Sequence, residues 1–171
     1  MIELEKTYLA KELPDLSDLE FKEMLDIYIP KEDDWPTLRI RKNGDKYEMT
    51  KKQLIDNDPS KQLETTIPLT KEEFEELSKL EGKRIHKRRY LYHFEGNIAE
   101  IDVFLNDLNG LVVVDFEFES EEKKNSFKKP DFCLVDITPE EFIAGGMICG
   151  KNYSDIEAKL NSFNYKKLEI K

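Results

Sequence analysis

Cysteine is scarce in this chain of 171 residues, which contains only Cys133 and Cys149. Two cysteines cannot hold a chain of this length together as a disulfide scaffold, and their spacing is not that of a metal site, so two buried free thiols are expected. Glycine and proline, at seven each, are too few for a collagen-like or linker-rich protein. Apolar runs stay far below the roughly 20 residues of a membrane-spanning helix, so no membrane association is predicted.

Basic residues are also in deficit. Lys and Arg total 27 against 37 Asp and Glu, which gives a net charge of −10 and an isoelectric point near 4.9. This balance argues against a nucleic-acid partner, although it leaves room for a local basic cavity. The first residues lack the basic start and apolar segment of a signal peptide, which predicts a cytoplasmic protein. The length suits a single domain covering residues 1–171.

Alternation of polar and apolar residues is the dominant pattern and predicts about eight strands over residues 2–119, most of them joined as antiparallel hairpins. Turns such as Asn43-Gly44-Asp45 support this interpretation, because Asn-Gly accepts the positive φ angles of tight hairpins. Helices are predicted between some strands and through most of residues 120–171. Their expected positions are residues 17–25, 71–80 and 120–125, with two more that begin near Thr138 and Ser154.

The charges of the predicted strands are sorted by sign. Acids occupy one face of the first and eighth strands, and bases occupy one face of the third and sixth: Glu3, Glu5, Asp115 and Glu117, against Arg39, Arg41, Lys87 and Arg89. A flat antiparallel sheet with one solvated face is one interpretation. However, a solvated face usually mixes signs, and the opposite faces are strongly apolar. We therefore favour an α+β fold in which an eight-stranded antiparallel barrel has a charged lumen and helices packed outside.

Such a lumen predicts a specific chemistry. Carboxylates on adjacent strands are the oxygen ligands that hard divalent cations prefer. Facing Arg and Lys side chains bind phosphate oxygens. Together these groups would accept a metal-bound polyphosphate, and phosphoryl transfer depends mainly on positioning and charge neutralisation.

Five segments, in order and with matching spacing, resemble the CYTH family, the triphosphate tunnel metalloenzymes. Residues 3–9 resemble its opening Glu-x-Glu-x-Lys strand, and Leu38-Arg39-Ile40-Arg41 its Leu-Arg-x-Arg strand. Residues 47–52 are similar to Tyr-x-x-Thr-x-Lys, and residues 87–90 to Lys-x-Arg-Tyr. Residues 100–117 are similar to the seventh and eighth strands of the family.

The resemblance implies a tunnel that binds triphosphate compounds together with Mg²⁺ or Mn²⁺. Metal ligands are expected at Glu3, Glu5, Glu64, Asp115 and Glu117. Phosphate-binding residues are expected at Arg39, Arg41, Lys52, Lys87 and Arg89, and catalytic residues at Glu3, Glu5, Lys52 and Glu117.

The family contains several activities, so the fold alone does not choose the reaction. We predict a metal-dependent hydrolase that acts on inorganic triphosphate, with ATP and thiamine triphosphate as further candidate substrates and a monomer or homodimer as the assembly. The alternatives are a class IV adenylyl cyclase and a non-catalytic protein that binds polyphosphate or nucleotide. Thr7 stands where the family motif has lysine, and Lys6 should point outward. This departure leaves the level of activity open.

Overall fold

A computed structural model describes the backbone of residues 2–34, 36–55 and 58–169, and the side chains of residues 4–34, 36–55 and 63–169. The strands are β1 (Ile2–Ala10), β2 (Phe21–Ile29), β3 (Leu38–Asn43), β4 (Lys46–Ile55), β5 (Asp58–Leu69), β6 (Lys83–Phe94), β7 (Asn97–Phe104), β8 (Val112–Phe118) and β9 (Cys133–Asp136). The α-helices are α1 (Lys71–Leu77), α2 (Glu121–Ser126), α3 (Gly145–Ile148) and α4 (Tyr153–Ser162).

The strands form one curled sheet in which every described pairing is antiparallel. Its order is β5-β4-β3-β2-β6-β7-β8-β1-β9, and β1 also pairs with β5. That extra pairing, at residues 2–4 of β1, closes strands β1 to β8 into a barrel. The predicted fold of an eight-stranded antiparallel barrel with helices outside is thus confirmed. The ninth strand, β9, adds to the outer part of β1.

Local sequence explains several element boundaries. Gly44 has a φ of +58° in the turn that joins β3 to β4, which is a conformation that glycine adopts without strain. The α1 helix begins with a capping box: the backbone N–H of Thr70 donates to Glu73 Oε2 at 2.7 Å, and the N–H of Glu73 donates to Thr70 Oγ1 at 3.2 Å.

The barrel is apolar on its outer surface, as the alternation predicts. Tyr8, Ile101, Val114 and Phe116 form the core of one outer cluster, against which parts of the segments 13–19 and 127–132 pack. A second outer cluster places Phe74 of α1 against Ile27 and Ile40 of the barrel wall. Because these faces are covered from outside, the polar faces of the same strands point into the lumen.

Two predictions about the elements were wrong or incomplete. Residues 17–25 were predicted to form a helix, but the chain enters β2 at Phe21, and the Asp15 carboxylate caps a local turn that includes Ser17. The backbone N–H and the hydroxyl of Ser17 both donate to Asp15 Oδ1, at 3.0 and 2.7 Å. The C-terminal region contains β9 in addition to its helices. Among the described residues, no α-helix begins near Thr138: a 3-10 turn, Glu141–Ile143, comes first, and the short helix α3 begins at Gly145.

Among the described helices, none has both the length and the apolar character needed to cross a bilayer.

Candidate active site in the barrel lumen

A cavity of about 580 Å³ occupies the lumen and receives side chains from all eight strands of the barrel. The predicted site residues with described side chains all line it, and these are Glu5, Arg39, Arg41, Lys52, Glu64, Lys87, Arg89, Asp115 and Glu117. The side chain of Glu3 lies outside the described part of the chain. Thr7 also lines the cavity, as its place in the alternation predicts.

Arg41 is held from one side by a buried carboxylate. Its Nε donates to Asp26 Oδ1 at 2.6 Å and its Nη2 donates to Asp26 Oδ2 at 2.7 Å, which is a bidentate ion pair. Burial by itself would raise the pKa of Asp26, but Arg41 and Arg39 outweigh burial and hold it well below its usual range. Asp26 is therefore an anion at any pH near neutrality.

Asp102 serves two bases at once. It accepts hydrogen bonds from Lys87 Nζ and, at 2.6 Å each, from Nε and Nη2 of Arg89. Burial would raise its pKa, but Arg89 and Lys87 reverse this and lower the pKa to about 2. Burial lowers the pKa of Lys87, and Asp102 offsets part of this effect. The side chains of Lys87 and Arg89, both on β6, are thus held in the lumen by their contacts with Asp102.

The acidic side of the lumen has carboxyl groups that resist ionisation. Glu100 of β7 and Asp115 of β8 are register partners, and Arg89 contacts both, with Nη2 at 3.5 Å from Asp115 Oδ2. Burial raises the pKa of Glu100 and of Asp115, and Asp102 raises that of Asp115 further. The hydroxyl of Thr7 donates to Asp115 Oδ1 at 2.8 Å, so it occupies one oxygen of a predicted metal ligand.

Lys52 and Arg39 approach the lumen from β4 and β3. Lys52 Nζ lies 3.1 Å from Glu64 Oε2. Burial would raise the pKa of Glu64, but Lys52 and a hydrogen bond from Thr66 lower it. Arg39 is 8% exposed, and its buried Nε has no hydrogen-bond partner among the described residues. A buried donor without a partner is costly, and a ligand oxygen in the cavity would satisfy it.

The residues predicted to bind metal have suitable donor atoms. Glu5 and Glu117 are direct register partners on β1 and β8, and both line the cavity. Carboxylate oxygens in this arrangement suit a hard divalent cation. Within the described side chains, however, no group of three or more His, Cys, Asp or Glu converges as a metal site. A metal site built on Glu5 and Glu117 would therefore need further oxygen donors, whether from Glu3, water or a bound phosphate.

The C-terminal region closes one end of the lumen. Ile143 and Ile148 pack with Tyr28, Ile85 and other residues in an apolar cluster at that end. The backbone lies so close that a Cβ added at Gly145 would collide with the Tyr28 hydroxyl. The residues that this region contributes to the cavity are Thr138, Glu140, Glu141, Ile143, Ala144, Gly145, Gly146 and Ile148.

Sequence reasoning missed some of the charged groups that line the cavity, above all Asp26, Glu48, Glu140 and Glu141. Asp26 comes directly after the segment predicted as a helix, residues 17–25. Its position between Leu25 and Ile27 continues the polar and apolar alternation of β2, and this alternation could have predicted that Asp26 faces the lumen. For Glu140 and Glu141 no sequence signal existed, because they reach the lumen only through the packing of the C-terminal region.

Known proteins are similar to this chain in both sequence and fold. This chain is 32% identical over 143 residues to a protein of Nitrosomonas europaea named inorganic triphosphatase, and the match covers 82% of this chain and 92% of that protein. A solved structure of an inorganic triphosphatase superposes with a TM-score of 0.64 at 26% identity, over 87% of this chain and 95% of the other.

A more distant structure shows the fold alone. It is a Hippeastrum protein described as an adenylyl cyclase whose dominant activity is that of a triphosphatase. It is 15% identical, with a TM-score of 0.52, over 72% of this chain and 82% of that one. The CYTH domain profile matches residues 2–129, which include all the predicted site residues. The chain therefore belongs to the CYTH domain family.

Proposed function

We propose that this protein is a hydrolase of triphosphate compounds that uses inorganic triphosphate as its substrate and depends on Mg²⁺ or Mn²⁺. The observation that carries the proposal is that one cavity brings together basic side chains from β3, β4 and β6 with a pair of carboxylates from β1 and β8. Arg39, Arg41, Lys87 and Arg89 form a basic wall, while Glu5 and Glu117 lie side by side on adjacent strands of the acidic side. The relatives named inorganic triphosphatase support the choice of substrate.

The basic wall would bind and orient the phosphate chain. Arg39 presents a buried donor that a phosphate oxygen can satisfy, and Arg41 and Arg89 retain N–H groups beyond those that their carboxylates accept. These groups would neutralise the charge that develops on the phosphate oxygens in the transition state. The lowered pKa of Lys87 suits it to donate a proton from Nζ to the leaving phosphate.

The acidic side would hold the cation. Glu3, Glu5 and Glu117 are the proposed ligands, with Glu64 and Asp115 as the candidates for a second position. A bound divalent cation would offset phosphate charge and make water a better nucleophile. Thr7 and Arg89 keep the Asp115 carboxyl in place beside this region.

One observation favours a second candidate, a protein that binds polyphosphate without turnover. The lysine of the family motif is absent at Thr7, and the hydroxyl that replaces it already donates to Asp115. A neutral hydroxyl cannot neutralise a phosphate, so catalysis by this lumen depends on its remaining bases. The cytoplasmic location, the lack of a nucleic-acid partner and the monomeric or homodimeric state stay predictions.

The test is phosphate release from inorganic triphosphate, ATP and thiamine triphosphate, each with Mg²⁺, with Mn²⁺ and with a chelator. We expect release from inorganic triphosphate that needs the cation. Glu117→Gln and Arg39→Gln should each reduce kcat/KM by at least about 100-fold, since each removes a group that binds cation or substrate.

Glu72→Gln is the matched control, because Glu72 is exposed on α1 and lies away from the cavity. It should leave the rate unchanged. Tight binding of inorganic triphosphate without phosphate release would favour the binding protein. Formation of cyclic AMP from ATP would show a cyclase and contradict the proposal.

A further inference from the structure

The two inward-facing arginines of β3 differ in their hydrogen bonds. Arg41 donates from Nε and Nη2 to one carboxylate, Asp26, whereas the Nε of Arg39 has no hydrogen-bond partner among the described residues. Both line the same cavity, two residues apart on one strand. A pair of arginines meant only to supply positive charge would need no such difference.

The Asp26 carboxylate is built into the barrel wall. Asp26 is the register partner of Arg41 on the neighbouring strand β2, and it is 2% exposed. It also lines the cavity, so its charge acts on whatever occupies the lumen. A guanidinium has five N–H donors in a rigid plane, and the bidentate contact takes two of them while fixing the direction of the others.

This arrangement has two opposing consequences for a bound phosphate chain. The fixed plane of Arg41 presents its remaining N–H groups in one orientation, which favours a transition state whose geometry they match. The negative charge of Asp26 cancels much of the positive charge of Arg41, which weakens the general attraction for a polyanion. The first effect raises turnover, and the second lowers affinity for the ground state.

We propose that Asp26 is a positioning residue that aims Arg41 into the lumen and exchanges ground-state affinity for turnover. The inference rests on the proposed function, because it assumes that the lumen binds a triphosphate chain. It adds a residue outside the five segments that resemble the family.

The test compares Asp26→Asn, Arg41→Gln and the double variant in hydrolysis of inorganic triphosphate, with calorimetric binding of the same compound. Asp26→Asn keeps the side-chain shape and removes the charge. We expect kcat to fall by about 10-fold while KM and the dissociation constant also fall, since the freed guanidinium attracts the anion but is no longer aimed. Arg41→Gln should instead raise KM.

The double variant separates positioning from a structural role. In the Arg41→Gln background, Asp26→Asn should change kcat by less than about 2-fold, because the group that it positions is gone. An equal loss of kcat in both backgrounds, or an unchanged KM in Asp26→Asn, would overturn the inference. If Asp26→Asn alone does not fold, the double variant, which removes both members of the bidentate ion pair, must fold and must bind more weakly than the natural chain.

Asp45→Asn provides the control, because it makes the same substitution at an exposed position in the turn between β3 and β4. It should leave kcat and KM unchanged. A natural chain that neither binds nor hydrolyses inorganic triphosphate would contradict the proposed function and this inference together. Turnover by the natural chain with no coupling between Asp26 and Arg41 would contradict this inference alone.

Discussion

Thr7 joins three parts of the structure through its polar atoms. Its hydroxyl donates to Asp115 Oδ1 at 2.8 Å, and its backbone N–H donates to the hydroxyl oxygen of Thr138 at 2.9 Å. Thr138 belongs to the region that closes the lumen, and Asp115 belongs to β8. A residue that replaces a lysine of the family motif has thus acquired a structural contact of its own.

Thr7→Val tests the value of the hydroxyl contact. Valine keeps the shape of threonine but leaves the half-buried Asp115 without this donor, so we expect the free energy of unfolding to fall by about 1–2 kcal/mol. Urea unfolding measures the change. Thr7→Ser retains the hydroxyl and is the matched variant. Equal losses in both variants would assign the effect to packing and not to the hydrogen bond.

Asp102→Asn tests the shared carboxylate. The substitution leaves Lys87 and Arg89 buried without a full counter-charge, which should cost about 3–5 kcal/mol of unfolding free energy. Asp102 has a pKa of about 2 in the folded chain against 3.8 ordinarily, so its contribution is complete above pH 3.8 and is lost as the pH falls toward 2.

Urea unfolding of the natural chain and Asp102→Asn across this pH range measures the effect. The difference between the two proteins should shrink as the pH falls from about 4 to about 2, because the natural carboxyl then becomes protonated. A difference that stays constant over this range would show that the charge of Asp102 is not its source.

At the scale of elements, the sequence predicts strands well wherever alternation is strong and turns are marked. The hairpins from β3 to β4 and from β6 to β7 were expected from Asn-Gly and Gly-Asn turns, and the structure has both. The β2 strand was missed in part because the spacing of Ser17 and Glu20 is typical of a helix start. Its pairing with β6 and β3 is a tertiary effect that local sequence does not encode.

The alternation of polar and apolar residues predicts which side chains face the lumen, but it does not predict which of them form ion pairs. Arg89 was expected to face the lumen, and it does. That Asp102 would serve both Lys87 and Arg89 depends on the register of β6 against β7, which alternation leaves undetermined. The predicted roles of these residues in catalysis stay predictions, because only their placement is observed.

Tyr165 fixes the C-terminal tail to the barrel, together with the backbone N–H of Leu168, which donates to the carbonyl oxygen of Gly110 at 3.0 Å. Tyr165 is 3% exposed, and its hydroxyl donates to the carbonyl oxygen of Gly110 and accepts from the N–H of Val112, each at 2.8 Å. Val112 begins β8, so this contact connects the end of the chain to the strand that carries Asp115 and Glu117.

Tyr165→Phe should therefore destabilise the fold by about 1–3 kcal/mol, because the buried N–H of Val112 loses its acceptor and the carbonyl oxygen of Gly110 keeps only the donor from Leu168. Thermal unfolding gives the total change, and hydrogen exchange at the Val112 amide should accelerate more than exchange at the centre of the sheet. Tyr92→Phe, at a half-buried tyrosine of β6, is the control. Unchanged exchange at Val112 would contradict the role of this hydrogen bond.

At the scale of the whole molecule, the barrel encloses a lumen, and the C-terminal region closes one end of that lumen. The sequence pattern predicted helices there but not the surface that they cover, since an apolar face can pack on any apolar partner.

Among the described side chains that line the cavity, ten are acidic and five are basic. Burial raises the pKa of Glu100 and of Asp115, but acids would remain in excess even if both were protonated.

This excess predicts that cation and anion stabilise the protein cooperatively. Inorganic triphosphate with a chelator meets a net negative lumen and should hardly change the melting temperature, whereas Mg²⁺ alone should raise it slightly. The two together should raise it most, since a ligand at 100 times its dissociation constant adds about 2.7 kcal/mol to the free energy of unfolding. Sodium chloride at equal ionic strength controls for screening. A full increase from inorganic triphosphate with the chelator would instead show that the basic wall binds the anion without any cation, and that the acidic side has another role.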